Sequence, residues 1–313
     1  MNRTLRIGTR GSKLALTQSR WVQSCLQQRH PQLTIELVTI KTSGDRFVDQ
    51  PLSEIGGKGL FVKEIEEAMV AGTIDCAVHS MKDVPGELAP GLVIAATPPR
   101  EDPRDVLIAR NGAGFEQLPR GARVGTSSLR RMALLRALRS DLDVRSLRGN
   151  VDTRLAKLDR GELDAIVLAA AGLRRLGIER RDAEPFDPQH FLPAVGQGVL
   201  ALESRADDTA TLLAVLDDAP TRIAVTAERA FLLRVGGSCR TPLAAYATLD
   251  GNTLTLRALI ADPDGTRVLR AEHRGPAGQA AALGAALADE LLGRGGADIL
   301  RALEAQSGAH DGG

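Results

Sequence analysis

The sequence predicts an α/β protein that ends in a smaller α+β region. Up to about residue 205, short apolar segments of strand length alternate with amphipathic segments of helical period, which is typical of parallel sheets covered by helices. From about Thr221 the pattern changes to one long helix, three segments of alternating apolar and polar residues, and an Ala/Leu-rich helix. At 313 residues, the chain is long enough for two or three domains with separate cores.

The N-terminal region begins with two predicted strands, at residues 5–9 and 33–40. The helix predicted between them has an apolar face that includes Trp21. A polar, Gly-rich segment at 41–59 then leads into an amphipathic helix at 60–72. The GGKG in that segment lacks the earlier glycine and the following Ser or Thr of a P-loop, so it does not predict nucleotide binding.

The stretch IDCAVHSMKDVP, residues 74–85, is where we expect a site to form. Its apolar start predicts a short buried strand that stops before Pro85. The strand delivers Ser80, Lys82 and Asp83 to its C-terminal end, and ligands of open α/β sheets bind at such ends. The adjacent acid and base are therefore either an incidental exposed pair or part of a functional site.

A second unit repeats the alternation of strand, turn and helix. Residues 91–97 predict another buried strand, and 98–110 predict a crossover into the second unit. Residues 122–177 then continue the α/β pattern. The strand predicted within 191–205 is expected to return to the first unit.

Composition excludes several classes of function. The 40 Lys and Arg residues nearly balance the 39 Asp and Glu residues, and aromatic residues make up 3% of the chain, so nucleic acid is not a predicted partner. No apolar signal segment follows the N-terminus and no apolar run approaches the ~18 residues of a membrane span, which predicts a cytoplasmic protein without a membrane partner. The three cysteines lack CxxC spacing, so neither a disulfide framework nor a metal site is predicted.

Basic and hydroxyl residues gather at three turns that precede predicted helices. Free NH groups and the helix dipole favour an anion there, and arginine adds bidentate donors for carboxylate or phosphate. Such residues also serve as plain caps and solvated charges. Three turns of this kind in a chain of net charge +1 nevertheless predict a cleft for a small polyanion. The turns carry Arg10 and Ser12, then Thr126, Ser127, Ser128, Arg130 and Arg131, and finally Arg148 and Asn150.

Cys239 lies in VGGSCRTP, residues 235–242, a glycine-rich segment that follows a predicted helix end. A loop thiol beside Arg240 is a candidate for a lowered pKa and for covalent chemistry. An ordinary loop cysteine is the alternative, and no neighbouring histidine in the sequence indicates a Cys/His protease.

Eight motifs, in one order from about residue 5 to about residue 248, resemble the hydroxymethylbilane synthase family, also called porphobilinogen deaminase. Each motif is weak alone, and their common order makes the resemblance specific. The motifs are TRGSKLAL, GGKGLFVKEIE, AVHSMKDVP, EDPRDVLI, GTSSLRR, LRGNVDTRL, PAVGQG and GSCRTP.

The resemblance implies a transferase of tetrapyrrole (haem) biosynthesis. Such an enzyme condenses four porphobilinogen molecules head to tail onto a covalently bound dipyrromethane primer, releases ammonia, and hydrolyses the product to 1-hydroxymethylbilane. The family's thioether cysteine falls on Cys239 and its catalytic aspartate on Asp83. The carboxylate binders fall on Arg10, Ser12, Lys82, Thr126, Ser127, Ser128, Arg130, Arg131, Arg148, Arg154 and Arg175, with Lys58 as a contact from a lid.

The resemblance also implies three domains and a monomer. Two α/β domains similar to periplasmic-binding-protein lobes would face each other across a cleft, and a small C-terminal α+β domain would carry the cysteine loop. The expected boundaries are 1–98 with 199–217 for the first domain, 103–193 for the second and 220–306 for the third, followed by a disordered tail at 307–313.

The chain departs from the family pattern at two positions. Ser238 precedes Cys239 where glycine is frequent, and Ser43 stands where a basic residue is frequent. We therefore expect one anion contact fewer from the segment 42–59, which we interpret as a lid over the cleft.

Two other classes of protein would explain part of the pattern. A noncatalytic two-lobed protein that binds small anions would account for the arginine turns but would not need Cys239. An enzyme with a cysteine nucleophile would need a partner base that the sequence does not identify. A covalent adduct of two pyrrole units on the intact protein would distinguish the synthase from both.

Overall fold

The computed structural model describes residues 4–46, 62–236 and 241–308. Within these ranges the chain forms two five-stranded sheets covered by helices and one three-stranded antiparallel sheet. The predicted fold class, two α/β units followed by a C-terminal α+β unit, is confirmed. No helix in the described ranges combines the length and the apolar composition that a membrane crossing requires.

The first sheet begins with three parallel strands. Leu5 and Ile7 of the first strand point to one face of the sheet and are fully buried in a cluster with Val22 and Leu26 of the helix that follows. The elements are β1 (Thr4–Thr9), α1 (Lys13–Arg29), β2 (Thr34–Thr39), α2 (Ser43–Arg46), α3 (Lys63–Val70), β3 (Cys76–Ser80) and β4 (Leu92–Ala96).

The second sheet repeats this arrangement with shorter strands. Its order is β7-β6-β8-β5-β9, where β6 pairs in parallel with β7 and β8 and β5 runs antiparallel to both of its neighbours. The elements are β5 (Asp105–Ala109), β6 (Arg123–Gly125), α4 (Leu129–Leu138), β7 (Asp143–Arg145), α5 (Val151–Asp159), β8 (Ala165–Ala169), α6 (Ala170–Arg175) and β9 (Ala183–Pro185).

The chain then returns to the first sheet, as predicted, through β10 (Leu200–Arg205). This strand lies antiparallel between β3 and β4, so the order of the first sheet is β2-β1-β3-β10-β4. Both sheets are therefore mixed, whereas the sequence pattern predicted parallel sheets. The chain reaches β5 from the first sheet and β10 from the second, so neither strand follows a helical crossover within its own sheet. Such a crossover is needed only to join successive parallel strands, and both strands can therefore pair antiparallel with their neighbours.

The C-terminal unit packs on the second sheet. Residues of β11 and β12 alternate between the core shared with the second sheet and the core beneath α8 and α9, as the period of two requires. The helix α7 (Asp208–Leu213) precedes this unit and packs on β4 and β10 of the first sheet. The elements of the C-terminal unit are α8 (Ala219–Val235), β11 (Leu243–Asp250), β12 (Thr253–Ala261), β13 (Val268–Pro276), α9 (Ala280–Leu291) and α10 (Ala297–Gly308).

The structure corrects one detail of the predicted closing helix. The single closing helix is two helices, interrupted near Gly295, whose φ of 106° lies outside the helical region. The second helix is described as far as Gly308, and 309–313 lie outside the described residues, so the disordered tail stays a prediction. The boundaries expected for the three domains stay predictions.

The buried face of α1 is also rotated from the predicted one. Gln18, Ser19, Val22 and Leu26 are buried, whereas Trp21 is 46% exposed. Two polar residues therefore occupy the face that packs on the sheet, and the assignment of Trp21 to that face was wrong. A helical period of 3.6 identifies the buried face from the sequence only when the residues on that face are apolar.

Candidate active site

A cavity of about 630 Å³ lies between the two α/β sheets. This volume falls within the ~300–1,000 Å³ of typical small-molecule pockets. The carboxyl ends of strands from both sheets form much of its wall, as expected for ligand sites in open α/β sheets. The wall includes residues 10–14 after β1, residues 80, 82 and 83 at the end of β3, 148–154 after β7, residues 168, 169, 171 and 172 around the end of β8, and 196–199 before β10.

The described part of the cavity wall is strongly cationic. Eight basic side chains line it against two carboxylates, although the whole chain carries a net charge of only +1. A concentration of like charge in a confined space attracts a polyanion. The basic residues are Arg10, Lys13, Lys41, Lys82, Arg131, Arg148, Arg154 and Arg175, and the carboxylates are Asp83 and Asp152.

Two of these cations, Arg154 and Arg175, have lowered pKa values. Burial lowers the pKa of Arg154 to about 10, and repulsion from Arg131 and Arg148 adds to the effect, while Asp83 opposes it. Burial likewise lowers the pKa of Arg175 to about 10. A bound carboxylate would reverse these shifts, because it favours the charged form of each guanidinium.

A short 3₁₀ turn, Met81–Asp83, brings Lys82 and Asp83 into the cavity wall. The turn is closed by the Val84 NH, which donates to the Met81 carbonyl at 3.1 Å, and Met81 NH donates to Val199 O at 2.9 Å. Met81 itself is 1% exposed and anchors the turn in the core. Its burial leaves the two charged neighbours on the open side.

Lys82 is the cation of this turn, and its pKa is strongly lowered. Burial and the nearby Arg131 lower the pKa of Lys82 to about 8, against the attraction of Asp83 and Asp105. A pKa this close to neutrality makes the charge of Lys82 dependent on pH and on the ligand.

The residues next to the turn follow the alternation of β3. Ser80 lines the cavity, and His79 points into the interior, where its Nε2 atom lies 2.9 Å from Glu203 Oε2. His79 therefore contacts the buried Glu203 and does not face the cavity.

The predicted anion turns lie at helix N-termini. Ser12 is the N-cap of α1 and accepts a hydrogen bond from Ala15 NH at 3.3 Å, and Ser128 caps α4 by accepting one from Arg131 NH at 3.4 Å. Asn150 is the N-cap residue of α5 without a side-chain cap bond. Ser12 and Ser127 reach the cavity wall, so these turns combine helix dipoles with arginines at one site.

Arg130 and Thr126 are placed differently from what the sequence suggested. Thr126 is fully buried and its hydroxyl accepts a hydrogen bond from Ser128 NH at 3.2 Å. Arg130 is 4% exposed and donates to Asp105 and to the Leu192 carbonyl, both at 2.7 Å. Neither residue lines the cavity, because their side chains point beneath the start of α4 rather than out of it. Ser128 is likewise occupied by capping and is not part of the wall.

Asp105 organises the buried floor beside the cavity. Its carboxylate is fully buried and accepts hydrogen bonds from Arg130, Arg131 and Gln197. Burial alone would raise the pKa of Asp105, but the two guanidinium groups outweigh it and lower that pKa to about 2. Arg131 thus reaches the cavity wall while a fixed counter-charge holds it in place.

The wall also includes polar and charged residues that the sequence interpretation missed. Among them are Lys13, Gln18, Lys41 and Gln197. Gln18 Nε2 donates to Ser80 Oγ at 3.1 Å, and Gln197 is 1% exposed with an Oε1 atom that finds no hydrogen-bond donor among the described residues. The position of Gln18 on the sheet-facing side of α1 could have indicated a role at the site, because a polar residue is uncommon on a buried helix face.

Three predicted features lie wholly or mostly outside the described residues. Cys239 and Lys58 lie outside the described residues, and so does most of the segment 42–59 interpreted as a lid. The described part of that segment contains α2, where the Ser43 NH and hydroxyl donate to the Glu64 carboxylate. Ser43 therefore contacts Glu64 of α3 at the position where the family pattern frequently has a basic residue.

Solved structures with related folds are only distantly similar. The periplasmic aliphatic sulphonate binding protein SsuA from Escherichia coli is 19% identical, with a TM-score of 0.41 and coverage of 74% of this chain and 70% of that chain. The BenM effector binding domain with its effector benzoate is 15% identical, with a TM-score of 0.42 and coverage of 74% and 90%. Likenesses at this level carry no conclusion about function.

Sequence comparison is far more specific. The family model described as porphobilinogen deaminase, dipyromethane cofactor binding domain, matches residues 5–213, and the model of the porphobilinogen deaminase C-terminal domain matches residues 222–293. A porphobilinogen deaminase of Syntrophotalea carbinolica is 55% identical over 96% of both chains. A porphobilinogen deaminase of Roseiflexus sp. strain RS-1 is 57% identical over 96% of this chain and 99% of the relative. The chain belongs to the porphobilinogen deaminase family.

Proposed function

We propose that the chain is a hydroxymethylbilane synthase that acts as a cytoplasmic monomer. It condenses four porphobilinogen molecules head to tail with loss of ammonia, and hydrolyses the product to 1-hydroxymethylbilane. The observation that carries this proposal is the cavity between the sheets, whose described wall carries eight cations together with Asp83 near a strand end. Each porphobilinogen carries an acetate and a propionate, so a growing chain accumulates the negative charge for which this wall is suited.

Asp83 is the group that we assign to the chemistry. Loss of ammonia from the aminomethyl group of porphobilinogen leaves a cation that the pyrrole nitrogen stabilises, and a fixed anion near that nitrogen lowers the barrier. Asp83 lies at the cavity wall, near enough to Lys82 and Arg154 to act on the pKa of both. Lys82 is assigned to carboxylate binding rather than to proton abstraction.

The carboxylate binders divide into two groups. Those in the cavity wall are proposed to contact substrate and product carboxylates directly, whereas the buried ones hold the wall in place. Arg130 fixes Asp105, and Ser128 caps the helix that carries Arg131. The direct binders are Arg10, Ser12, Lys82, Ser127, Arg131, Arg148, Arg154 and Arg175.

The donor set of this cavity also fits dipyrromethane, the cofactor that the family model names. Two pyrrole units carry four carboxylates, and guanidinium groups bind carboxylates with two parallel hydrogen bonds. We propose that Cys239 holds the cofactor through a thioether and that Arg131 and Arg154 bind its carboxylates. When bound, dipyrromethane supplies the pyrrole end to which new units are joined.

Intact-protein mass spectrometry tests this proposal directly. We expect the protein from cells that make porphobilinogen to carry an added mass of two pyrrole units, and we expect Cys239→Ser to lack it. The purified protein should release ammonia from porphobilinogen, whereas Cys239→Ser should not. Cys25→Ser is the matched control and should keep both the adduct and the activity, because Cys25 lies on α1. An unmodified wild type that binds porphobilinogen without consuming it would indicate the noncatalytic anion-binding protein instead.

The pKa of Lys82 predicts a pH dependence of substrate binding. Because that pKa is about 8, Lys82 loses its charge as the pH rises through 8, and the KM for porphobilinogen should then increase. We expect a rise of roughly 3- to 10-fold between pH 7.5 and 9.5, since one carboxylate contact is weakened. Lys82→Arg should shift this increase to higher pH, because a guanidinium stays charged. A pH-independent KM in the wild type would contradict the assignment of Lys82 to binding.

A further inference from the structure

The helix α8 packs against the turn that carries Asp83. Val225 of α8 shares a buried cluster with Met81 and Val84, the residues on either side of the Lys82–Asp83 pair. One turn further along, Arg229 reaches the same segment, as the four-residue spacing of a helix face requires. The helix therefore presents one continuous stripe to the backbone beneath Asp83.

Arg229 donates to three successive main-chain carbonyls after Asp83. Its Nη2 atom lies 2.8 Å from Pro85 O and 3.0 Å from Gly86 O, and its Nη1 atom lies 3.5 Å from Val84 O. Nη1 also lies 3.8 Å from Met81 Sδ. No ion pair between described residues involves Arg229, and burial lowers its pKa although Glu203 opposes the shift.

A half-buried guanidinium whose partners are neutral carbonyls has a mainly geometric function. The planar guanidinium holds its donors in a fixed fork, so the carbonyls of residues 84–86 are fixed relative to α8. The main-chain bonds of the turn at Met81–Asp83 run from Val84 NH to Met81 O and from Met81 NH to Val199 O, and neither holds the carbonyls of residues 84–86. Arg229 is thus the principal polar restraint on the chain that leaves Asp83.

We propose that Arg229 is a positioning residue for Asp83. The proposal rests on the function proposed above.

The matched control is Arg222, on the same helix. It donates to the carbonyls of Ile94 and Ala95 in β4 and to the Asp217 carboxylate, at distances between 2.6 and 3.3 Å. Arg222 therefore also joins α8 to the first sheet through carbonyls, but it does not contact the turn of Asp83. Loss of Arg222 also removes an ion pair with Asp217, and we expect only the loss of Arg229 to free the turn.

The experiment compares Arg229→Met with Arg222→Met in full-length, cofactor-loaded protein. We expect Arg229→Met to lower kcat by roughly 10- to 100-fold with KM changed less than about 3-fold, because a shift of about 1 Å in a reacting group costs on that order. Arg222→Met should keep kcat within about 3-fold of the wild type. Hydrogen exchange at the Val84 amide should accelerate at least about 10-fold in Arg229→Met alone, because its turn opens more often.

Three results would overturn the positioning role. They are an equal loss of kcat in both variants, a rise in KM without a change in kcat, and unchanged exchange at Val84 in Arg229→Met. If Arg229→Met does not fold, Arg229→Lys replaces it with an expected loss of about 3- to 10-fold, because ammonium retains the charge without the fork. A wild type that does not consume porphobilinogen refutes the proposed function as well, whereas an active wild type whose Arg229 variant keeps its kcat refutes the positioning role alone.

Discussion

Asp83→Asn is expected to lower kcat for porphobilinogen consumption by about 10²- to 10³-fold, the usual loss when one preorganised electrostatic group is removed. Asparagine keeps the shape of the side chain and removes its negative charge, so the fold should be retained. KM should change little, because the carboxylate binders remain. The measurement is ammonia release at saturating porphobilinogen, with circular dichroism and thermal unfolding to verify the fold.

The second carboxylate of the cavity provides the control. Asp152 is in the same wall, with a side chain that is 52% exposed and an oxygen 3.8 Å from Lys13 Nζ. Asp152→Asn should stay within about 3-fold of the wild-type kcat, because an exposed pair at this distance contributes little. Equal losses in the two variants would show that the charge of the wall, and not Asp83, is responsible.

Asp105→Asn is expected to destabilise the protein by about 3–5 kcal/mol, the usual cost of removing one partner from a buried ion pair. Asp105 is fully buried between Arg130 and Arg131, which are 4% and 5% exposed. The variant leaves two guanidinium groups in the interior without their carboxylate. Urea unfolding of wild type and variant measures the difference. A change below about 1 kcal/mol would show that another group replaces the carboxylate.

The surface pair of Asp143 and Arg145 is the control for this prediction. Their side chains are 43% and 51% exposed, so Asp143→Asn should change the free energy of unfolding by less than about 1 kcal/mol. The effect of Asp105 also depends on pH. The pKa of Asp105 falls from 3.8 to about 2 on folding, so its stabilisation is present above pH 4 and is lost as the pH falls through 2. The difference between wild type and Asp105→Asn should shrink over the same interval.

The sequence predicted the elements better than the directions of their side chains. The strands that end at Thr9 and Arg145, the helices that follow these two, and the strand that ends at Ser80 were recognisable from period, caps and turn residues. The antiparallel insertion of β5 and β10 was not, because an apolar segment does not specify the direction in which it pairs. The rotation of α1 was missed for a similar reason, since Gln18 and Ser19 interrupt its apolar stripe.

Arg130 and Arg131 show most clearly that the sequence predicts a helix but not the direction of its side chains. The sequence places two arginines side by side at a helix N-terminus, and nothing local distinguishes them. In the structure both bind Asp105, but only Arg131 also reaches the cavity wall. Their positions one residue apart on a helix differ by about 100°, and Asp105 comes from a strand that enters from the other sheet.

The sequence by itself determined the family, the order of strands and helices, and the residue types that can bind a small polyanion. These follow from local patterns and from motifs in a fixed order. The tertiary structure decided which cations line one cavity, that Asp105 holds two of the arginines, and that Arg229 restrains the turn of Asp83 from a helix 146 residues further along the chain. Such contacts depend on long-range packing, which no local pattern specifies.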